Sequence, residues 1–538
     1  MSRFLALSLA VLALTAGCTS DVDTPAAEPV APACDPALDA WAARGFSGAV
    51  VVSDGRGPGC RAGYGEADHA SHVPNTDATV FRLGSVTKAF TAAAVVGLAE
   101  DGALALDDRA GDLVPGLAGP AAGVTVAQLL DHTSGLTGAH AADGEPMTRD
   151  EAVAAISRLE PAFPPGTGEL YSNAGYTLLA LVVEARSGTT YRDHLATHVL
   201  TLAGEGSAGG FWSGEPAAPG SRATGYTDGG GPGDDGEVAG GQWAVDGNGG
   251  LAMSARDLAA WTHALFTGPY RGRTEPPGWG VVEVGGERVL AAAGGGEGSG
   301  HNAVAAWLPA GERAVAVLSN TTEVTAEVLA RAILPALAAG DPLPSPAGGG
   351  SGPVDPAVLD AAAGTYRLDA GDTLTVTAAG DGLVVAPRGA GAVATLFPLP
   401  DGVSDADARG HEGRVEALLA GETREGRQER QTLEADLGPI ARVDVLGTVV
   451  ADGELRTFVT VTGRDGTWDL WYAVDGEGGL AAAEVTDGPP TLTVVPATGG
   501  AFRPDDPGGA GPDVAVRFAA DTLTVAGPQG TTVARREP

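Results

Sequence analysis

A serine and a lysine three positions apart give the first chemical signal, in the segment Ser85-Val86-Thr87-Lys88. Side chains with this spacing lie on one face of a helix, so the amine can hold or accept the proton of the hydroxyl. A nucleophilic serine needs such a partner, because a neutral hydroxyl attacks a carbonyl group poorly. A solvated surface pair has the same spacing, so the tetrapeptide alone is a weak signal.

The surroundings of this pair strengthen the signal. An apparent strand end from Thr79 to Leu83 precedes it, and the apolar segment from Val86 to Leu98 predicts a buried helix that Gly102 closes. A lysine is costly in such a helix unless a partner compensates its burial. The position of Lys88 therefore favours a functional role.

A second group of polar residues lies 86 positions further on, where Tyr171 and Asn173 precede or open a predicted helix from Asn173 to Ser187. A nearby ammonium and a helix N-terminus would lower the pKa of a phenol and make it a base. The amide of Asn173 offers both a donor and an acceptor to a substrate. Alone, these residues could be a helix cap with a packed aromatic. Together with the first pair they predict acyl transfer, in which Lys88 and Tyr171 move the proton of Ser85.

Two further segments, from Leu129 to Leu136 and from Gly249 to Leu258, complete a pattern that resembles the serine β-lactamase/D-alanyl-D-alanine carboxypeptidase superfamily, closest to class C β-lactamase-like hydrolases and esterases. The resemblance covers about residues 36 to 340. It implies an α/β fold, a sandwich in which helices flank an antiparallel sheet, with a helical subdomain. It also implies a serine hydrolase that forms an acyl-enzyme on an ester or amide without a cofactor or metal. His132 is implied to be a structural residue at a helix end.

The third motif of that family departs from its usual form. Where the family has Lys-Thr-Gly or His-x-Gly, this chain has Ala-Ala-Ala-Gly-Gly-Gly-Glu-Gly-Ser-Gly-His-Asn at 291–302. If the glycine before His301 is the family's later glycine, the cationic or imidazole position falls on Gly294. Gly296, Glu297 and His301 remain candidate substrate-binding residues. The departure leaves open an alternative function, a catalytically weak or inactive binding protein on the same fold.

The N-terminus has the layout of a secretory signal, with Arg3, an apolar run from Phe4 to Leu14 and small residues before Cys18. The run is too short to span a membrane as a mature helix. The small residues before the cysteine resemble a lipoprotein signal, which predicts a signal peptide at 1–17, lipidation of Cys18 and a tether at 18–34. Simple cleavage is the alternative. We expect an exported periplasmic or outer-surface lipoprotein attached to a bacterial membrane.

Two other cysteines, Cys34 and Cys60, remain in a chain expected to reach an oxidising compartment. They predict a disulfide bond, with two unpaired buried thiols as the alternative. The nine histidines are scattered without metal-ligand spacing, so we expect no metal site.

Composition limits the partners. Lys and Arg total 32 against 68 Asp and Glu, and the formal charge of −36 argues against nucleic acid, whose phosphates the chain would repel. We expect a small-molecule or peptidoglycan-derived substrate and, through the lipid anchor, a membrane.

The length of 538 residues requires more than one hydrophobic core. An uncharged Pro-, Gly- and Ser-rich stretch from Pro342 to Pro353 marks a flexible linker. We therefore expect a hydrolase domain at 35–341, a linker at 342–356 and a C-terminal domain at 357–538. Short strands separated by Asp-Gly and Pro-Gly turns predict that the last domain is an all-β barrel or sandwich.

Overall fold

The computed structural model describes residues 34–537, apart from 56–58, 138, 143, 205–207, 228–229, 234–239, 285, 347–354, 369–370, 381, 401, 452–453, 477, 487, 498–499 and 507–510. The expected signal peptide, Cys18 and the tether up to residue 33 lie outside these residues, as does most of the expected linker. Across the part that is described, no helix combines the length and the apolar character that a membrane crossing requires.

The first region is an α/β sandwich. Its helices are α1 Ala37–Ala43, α2 Thr87–Glu100, α3 Ala110–Leu113, α4 Val126–Leu130, α5 Arg149–Ile156, α6 Asn173–Ser187, α7 Tyr191–His194, α8 Ala255–Thr267 and α9 Ala326–Ala339. Its strands are β1 Gly48–Ser53, β2 Cys60–Tyr64, β3 Glu66–Asp68, β4 Val73–Pro74, β5 Val80–Arg82, β6 Gly210–Phe211, β7 Leu251–Ser254, β8 Gly280–Val284, β9 Glu287–Gly296, β10 His301–Leu308 and β11 Arg313–Ser319.

The main sheet is antiparallel, with strand order β2-β1-β11-β10-β9-β8. Successive side chains of its central strands point to opposite faces. On β11, Val315 and Val317 pack with α1 and α9, whereas Ala316 and Leu318 pack with α2 and α8. Both faces are therefore covered, which explains why these strands are apolar without alternation. The expected sandwich is confirmed.

Local signals set the helix that carries the second motif. The side chain of Ser172 caps α6 by accepting a hydrogen bond from the backbone N–H of Gly175 at 3.0 Å. Gly188 ends the helix in the left-handed region, at φ 71°, which favours glycine. Because the cap fixes the first turn, Tyr171 and Asn173 lie at the N-terminus of the helix.

A disulfide bond joins Cys34, just before α1, to Cys60 at the start of β2. Cys60 pairs with Val52 across the hairpin of β1 and β2. The bond thus ties the segment leading into α1 to the edge of the main sheet.

The C-terminal region contains a closed eight-stranded barrel with strand order β12-β13-β14-β19-β20-β21-β22-β23, and the expected all-β barrel is confirmed. Helix α10 Pro356–Ala362 precedes it. The barrel strands are β12 Gly364–Arg367, β13 Thr373–Ala379, β14 Gly382–Arg388, β19 Leu492–Ala497, β20 Ala501–Pro504, β21 Ala515–Ala519, β22 Thr522–Gly527 and β23 Gly530–Arg536. Pairing of Tyr366 with Arg536 closes it.

Between β14 and β19 the chain leaves the barrel and forms three helices and a separate four-stranded sheet. These elements are α11 Ala390–Leu396, α12 Asp405–Leu419, α13 Arg424–Leu437, β15 Ile440–Ala451, β16 Glu454–Gly463, β17 Thr467–Val474 and β18 Leu480–Thr486. The sequence analysis placed the central strands within one β domain and did not predict the helices. One local signal was present, because Ser404 and Asp407 form a capping box at the start of α12.

Candidate active site

Strand β5 and the turn after it hold Ser85. Residue Leu83 donates its backbone N–H to the carbonyl of Leu251 at 2.9 Å, and the N–H of Leu251 donates to Oγ1 of Thr87 at 3.1 Å. Ser85 lies between these anchors, in a 3-10 turn from Gly84 to Val86 that leads into α2. The hydroxyl is therefore held on a rigid turn at the start of a buried helix.

Lys88 is 4% exposed, and its ammonium is fully engaged. Its Nζ donates to Oγ of Ser85 at 2.9 Å, to Oδ1 of Asn173 at 2.8 Å and to the backbone oxygen of Asn248 at 3.0 Å. Three acceptors match the three donors of an ammonium and compensate its burial. The expected pairing of Lys88 with Ser85 is thus present in the structure, with Asn173 beside it.

Tyr171 is the second hydrogen-bond partner of the Ser85 hydroxyl. Its hydroxyl donates to Oγ of Ser85 at 2.7 Å, and its ring centroid lies 4.7 Å from Nζ of Lys88. The tyrosine is 52% exposed, so its hydroxyl stands at the open cleft. The serine oxygen therefore lies within hydrogen-bonding distance of both an amine and a phenol.

His132 packs against Tyr171 and its neighbour Ser172. Its ring stacks on that of Tyr171 with centroids 4.7 Å apart, and its Nδ1 accepts the backbone N–H of Ser172 at 3.1 Å. Burial, with a smaller contribution from the charge of Lys88, lowers the pKa of His132 to about 4. The imidazole is therefore neutral near pH 7 and positions Tyr171, in line with the structural role that the resemblance implies.

Asn248 is a site residue that the sequence analysis missed. Its Nδ2 donates to Oγ1 of Thr177 at 2.8 Å and to the carbonyl of Ala244 at 3.0 Å. These bonds orient the turn so that the backbone oxygen of Asn248 faces Lys88. The Asn-Gly dipeptide signals a turn, but no local pattern shows which side chain that turn will meet.

Strand β9 passes so close to Ser85 that Gly294 can carry no side chain. A Cβ there would lie 2.4 Å from the backbone nitrogen of Ser85 and 2.5 Å from the oxygen of Leu83. The register that placed a cation or imidazole on Gly294 therefore does not fit this structure. Ala292, two positions earlier, shares the strand face of Gly294 and lines the cleft with only a methyl group.

Ser85 lies between two cavities. The larger, a cleft of about 610 Å³, is lined by Lys88, Tyr171 and three acids, Asp131, Glu169 and Glu275, among other residues. Burial raises the pKa of Asp131, and the charge of Glu169 adds to the effect. Among the described residues that line this cleft, Lys88 is the single cationic side chain, whereas Arg288, which does not line it, pairs with Glu275 at 3.5 Å.

The smaller cavity has about 240 Å³ and includes Asn173, Gly296 and His301 in its wall. Gly296 ends β9, and His301 begins β10 after the 3-10 turn Glu297–Ser299. The side chain of Glu297 is outside the described part of the structure. Two candidate residues of the third motif, Gly296 and His301, thus meet Ser85 in this second cavity.

An antiparallel sheet flanked by helices, with Ser85 at the start of a buried helix, is the β-lactamase/transpeptidase fold. The model of the Beta-lactamase family matches residues 39–340, more than half of the chain. The chain therefore belongs to the Beta-lactamase family.

Two curated relatives illustrate the similarity. A D-aminopeptidase from Cereibacter sphaeroides is 31% identical over 248 residues, which cover 43% of this chain and 45% of that protein. Penicillin-binding protein 4 from Amycolatopsis lactamdurans is 35% identical over 140 residues, which cover 24% of this chain and 36% of that protein. The chain thus spans less than half the length of these relatives.

A solved structure extends the likeness beyond the hydrolase region. The octameric penicillin-binding protein homologue from Pyrococcus abyssi has a TM-score of 0.52 and 17% sequence identity, over 92% of this chain and 98% of that one. At this identity the comparison shows the fold alone. It extends that likeness to nearly the whole chain.

Proposed function

We propose that this protein is a serine hydrolase that forms an acyl-enzyme at Ser85 on an ester or amide substrate. One observation carries the proposal: Oγ of Ser85 lies 2.9 Å from Nζ of Lys88 and 2.7 Å from the hydroxyl of Tyr171. A serine between an amine and a phenol has both a route for losing its proton and a donor for the leaving group.

In the reactive state, one of the pair Lys88 and Tyr171 has given up its proton and takes the proton of Ser85 as Oγ attacks the carbonyl carbon. The bond to the leaving group then breaks, and Tyr171, at the open cleft, returns a proton to the departing atom. Water repeats the sequence on the acyl-enzyme and releases the acid. Backbone N–H groups of Ser85 and of the adjoining end of β9 hold the oxyanion. Asn173 orients the substrate.

The residues that line the larger cleft, into which the leaving group departs beside Tyr171, determine which substrates the site favours. Asp131 and Glu169 disfavour a carboxylate in the cleft, and the strand that lines the cleft contributes only the methyl group of Ala292. Activated esters tolerate this environment, because their alcohols leave without the full protonation that an amine requires. The D-aminopeptidase among the relatives supports amides as a second substrate class.

The same strand supports the alternative of a weak or inactive binding protein, because no cation or imidazole extends from the described residues of β9 into the cleft. A fluorophosphonate probe followed by peptide mapping separates the two functions. We expect stoichiometric labelling at Ser85 in the wild type and none in Ser85→Ala, with equal circular dichroism spectra. An unlabelled wild type would favour the binding protein, and equal labelling of both would place the nucleophile elsewhere.

We also propose that the mature chain is exported and attached to a membrane through lipidated Cys18. The support comes from the sequence of residues 1–18, with its apolar run and small residues before the cysteine. Two or more acyl chains would make such an anchor stable.

A further inference from the structure

Of the two cavities that meet at Ser85, Tyr171 lines only the larger cleft. As the donor to the leaving group, it lines the cleft, whereas the residues around the smaller cavity do not include it. Ser85 lines both spaces. If the leaving group departs toward Tyr171, the acyl group must extend from Ser85 toward the smaller cavity. This step rests on the proposed function, because it assigns sides to one acyl transfer.

His301 is a buried polar residue in the wall of the smaller cavity, which we call the acyl-side cavity. It is 3% exposed, and its ring meets those of Phe81 and Trp212 edge-on, with centroids 6.2 and 5.3 Å away. Within the described part of the chain, its buried Nδ1 has no hydrogen-bond partner. A buried polar atom without a partner costs free energy, so an imidazole kept here needs a reason that packing does not supply.

The charges around His301 indicate what it can bind. The guanidinium carbons of Arg82 and Arg222 lie 6.0 and 4.8 Å from the ring centroid of Trp212, and Arg82 also lines the cavity. Burial, and to a lesser degree the charge of Arg82, lowers the pKa of His301 to about 3. The imidazole is therefore neutral and carries one N–H donor. An N–H donor pairs with an acceptor oxygen and cannot pair with an ammonium group.

We propose that His301 is a specificity residue that donates a hydrogen bond to an oxygen on the acyl group of the substrate. The ligand is a short acyl chain that ends in a carbonyl or carboxylate, sized for a cavity of about 240 Å³. Gly249 leaves this space open, since a Cβ there would meet no atom within 4 Å. The polarity of the site is thus split, with acids on the leaving-group side and Arg82 on the acyl side.

A series of p-nitrophenyl esters tests the assignment. Levulinate carries a neutral carbonyl, hydrogen succinate carries a carboxylate, and 4-methylpentanoate is their apolar isostere. We expect the wild type to favour levulinate, succinate or both over the isostere by about 3- to 10-fold in kcat/KM, the worth of one net hydrogen bond. The rate at which the succinate ester hydrolyses without enzyme is measured separately and subtracted. Preference for levulinate alone identifies a carbonyl, and a larger preference for succinate identifies a carboxylate.

The variant His301→Phe removes both ring nitrogens and keeps an aromatic ring between Phe81 and Trp212. We expect it to bring the preference for the oxygen-bearing esters close to one. His263→Phe is the matched control, because His263 makes a similar edge-on contact with Trp307 and lines neither cavity. Ratios within each variant cancel differences in the folded fraction. Equal preference in His301→Phe and wild type, or no preference in the wild type, would overturn the proposal.

A second variant tests the assignment independently, in case His301→Phe does not fold. Gly249→Leu fills the acyl-side cavity from its open side, so kcat/KM for levulinate should fall at least about tenfold relative to the acetate ester. An unchanged ratio would show that the acyl group does not enter this cavity. If Ser85 is labelled by the fluorophosphonate but these ratios fail, only the assignment of His301 is wrong. Absence of both labelling and turnover overturns the proposed function as well.

Discussion

The backbone oxygen of Asn248 accepts a hydrogen bond from Nζ of Lys88 at 3.0 Å, although the two residues are 160 positions apart in the chain. With Asn173 on another side, this bond fixes the direction in which the amine points. Lys88 therefore donates its third hydrogen bond to Ser85. A buried amine with three oriented partners is held in place, so its position beside Ser85 would need no adjustment before a proton transfer.

Tyr171→Phe tests the phenol as a proton carrier. We expect the variant to fold and to bind substrate while kcat falls by roughly 10²- to 10⁴-fold, the usual worth of general acid–base catalysis. His132 should still stack on the new ring, so the local structure is retained. Steady-state kinetics on a p-nitrophenyl ester measure both constants. A kcat within twofold of the wild type would leave Lys88 as the sole proton carrier.

Substrate preference tests two features of the cleft: the acids that line it, and the lack of a cation or imidazole that enters it from the described residues of β9. We expect measurable hydrolysis of p-nitrophenyl esters and weak or absent hydrolysis of penicillins. Loss of a charged contact to a substrate carboxylate is worth about 1–3 kcal/mol, or about one to two decades in rate. Parallel measurements of kcat/KM on an ester, a β-lactam and a D-Ala-D-Ala peptide compare the classes. A higher value for the lactam or peptide would mean that another residue binds the carboxylate.

Acid sensitivity follows from the buried histidines of the hydrolase region. The pKa of His132 is lowered to about 4 and that of His301 to about 3, so below pH 6.5 the unfolded chain takes up protons that the folded chain does not. The free energy of unfolding should therefore fall as the pH drops from 6.5 toward 4, by at most about 1.4 kcal/mol per pH unit for each histidine.

Urea unfolding at several pH values measures this dependence. In His301→Phe one titrating group is gone, so the slope between pH 6 and pH 4.5 should be smaller by about 1 kcal/mol per pH unit. Equal slopes in the variant and the wild type would mean that His301 already titrates normally in the folded protein.

The N-terminal processing is tested by intact mass. We expect the membrane-extracted protein to begin at Cys18 with lipid attached, and to gain mass on alkylation only after reduction, because the Cys34–Cys60 bond must open first. Cys18→Ala should release the chain from the membrane fraction. A soluble wild-type product that begins at another residue would contradict the anchor, and a gain in mass on alkylation without reduction would contradict the disulfide.

Features that depend on neighbouring residues were predictable from the sequence. The helix from Asn173 to Ser187 was predicted with the bounds that the structure has, because Ser172 caps one end and Gly188 the other. Helix α12 was missed although a capping box marks its start, because its polar sequence leaves the apolar period weak.

Features that depend on distant segments meeting were decided by the tertiary structure. The types and spacing of Ser85, Lys88 and Tyr171 indicated the chemistry, since a helix turn and a helix start place such groups predictably. The contact of Asn248 with Lys88, the exclusion of a side chain at Gly294 and the cavity beside His301 had no local signal. Each arises where strands and turns far apart in the chain pack within van der Waals distance, and interatomic distances of that kind leave no periodic pattern in a sequence.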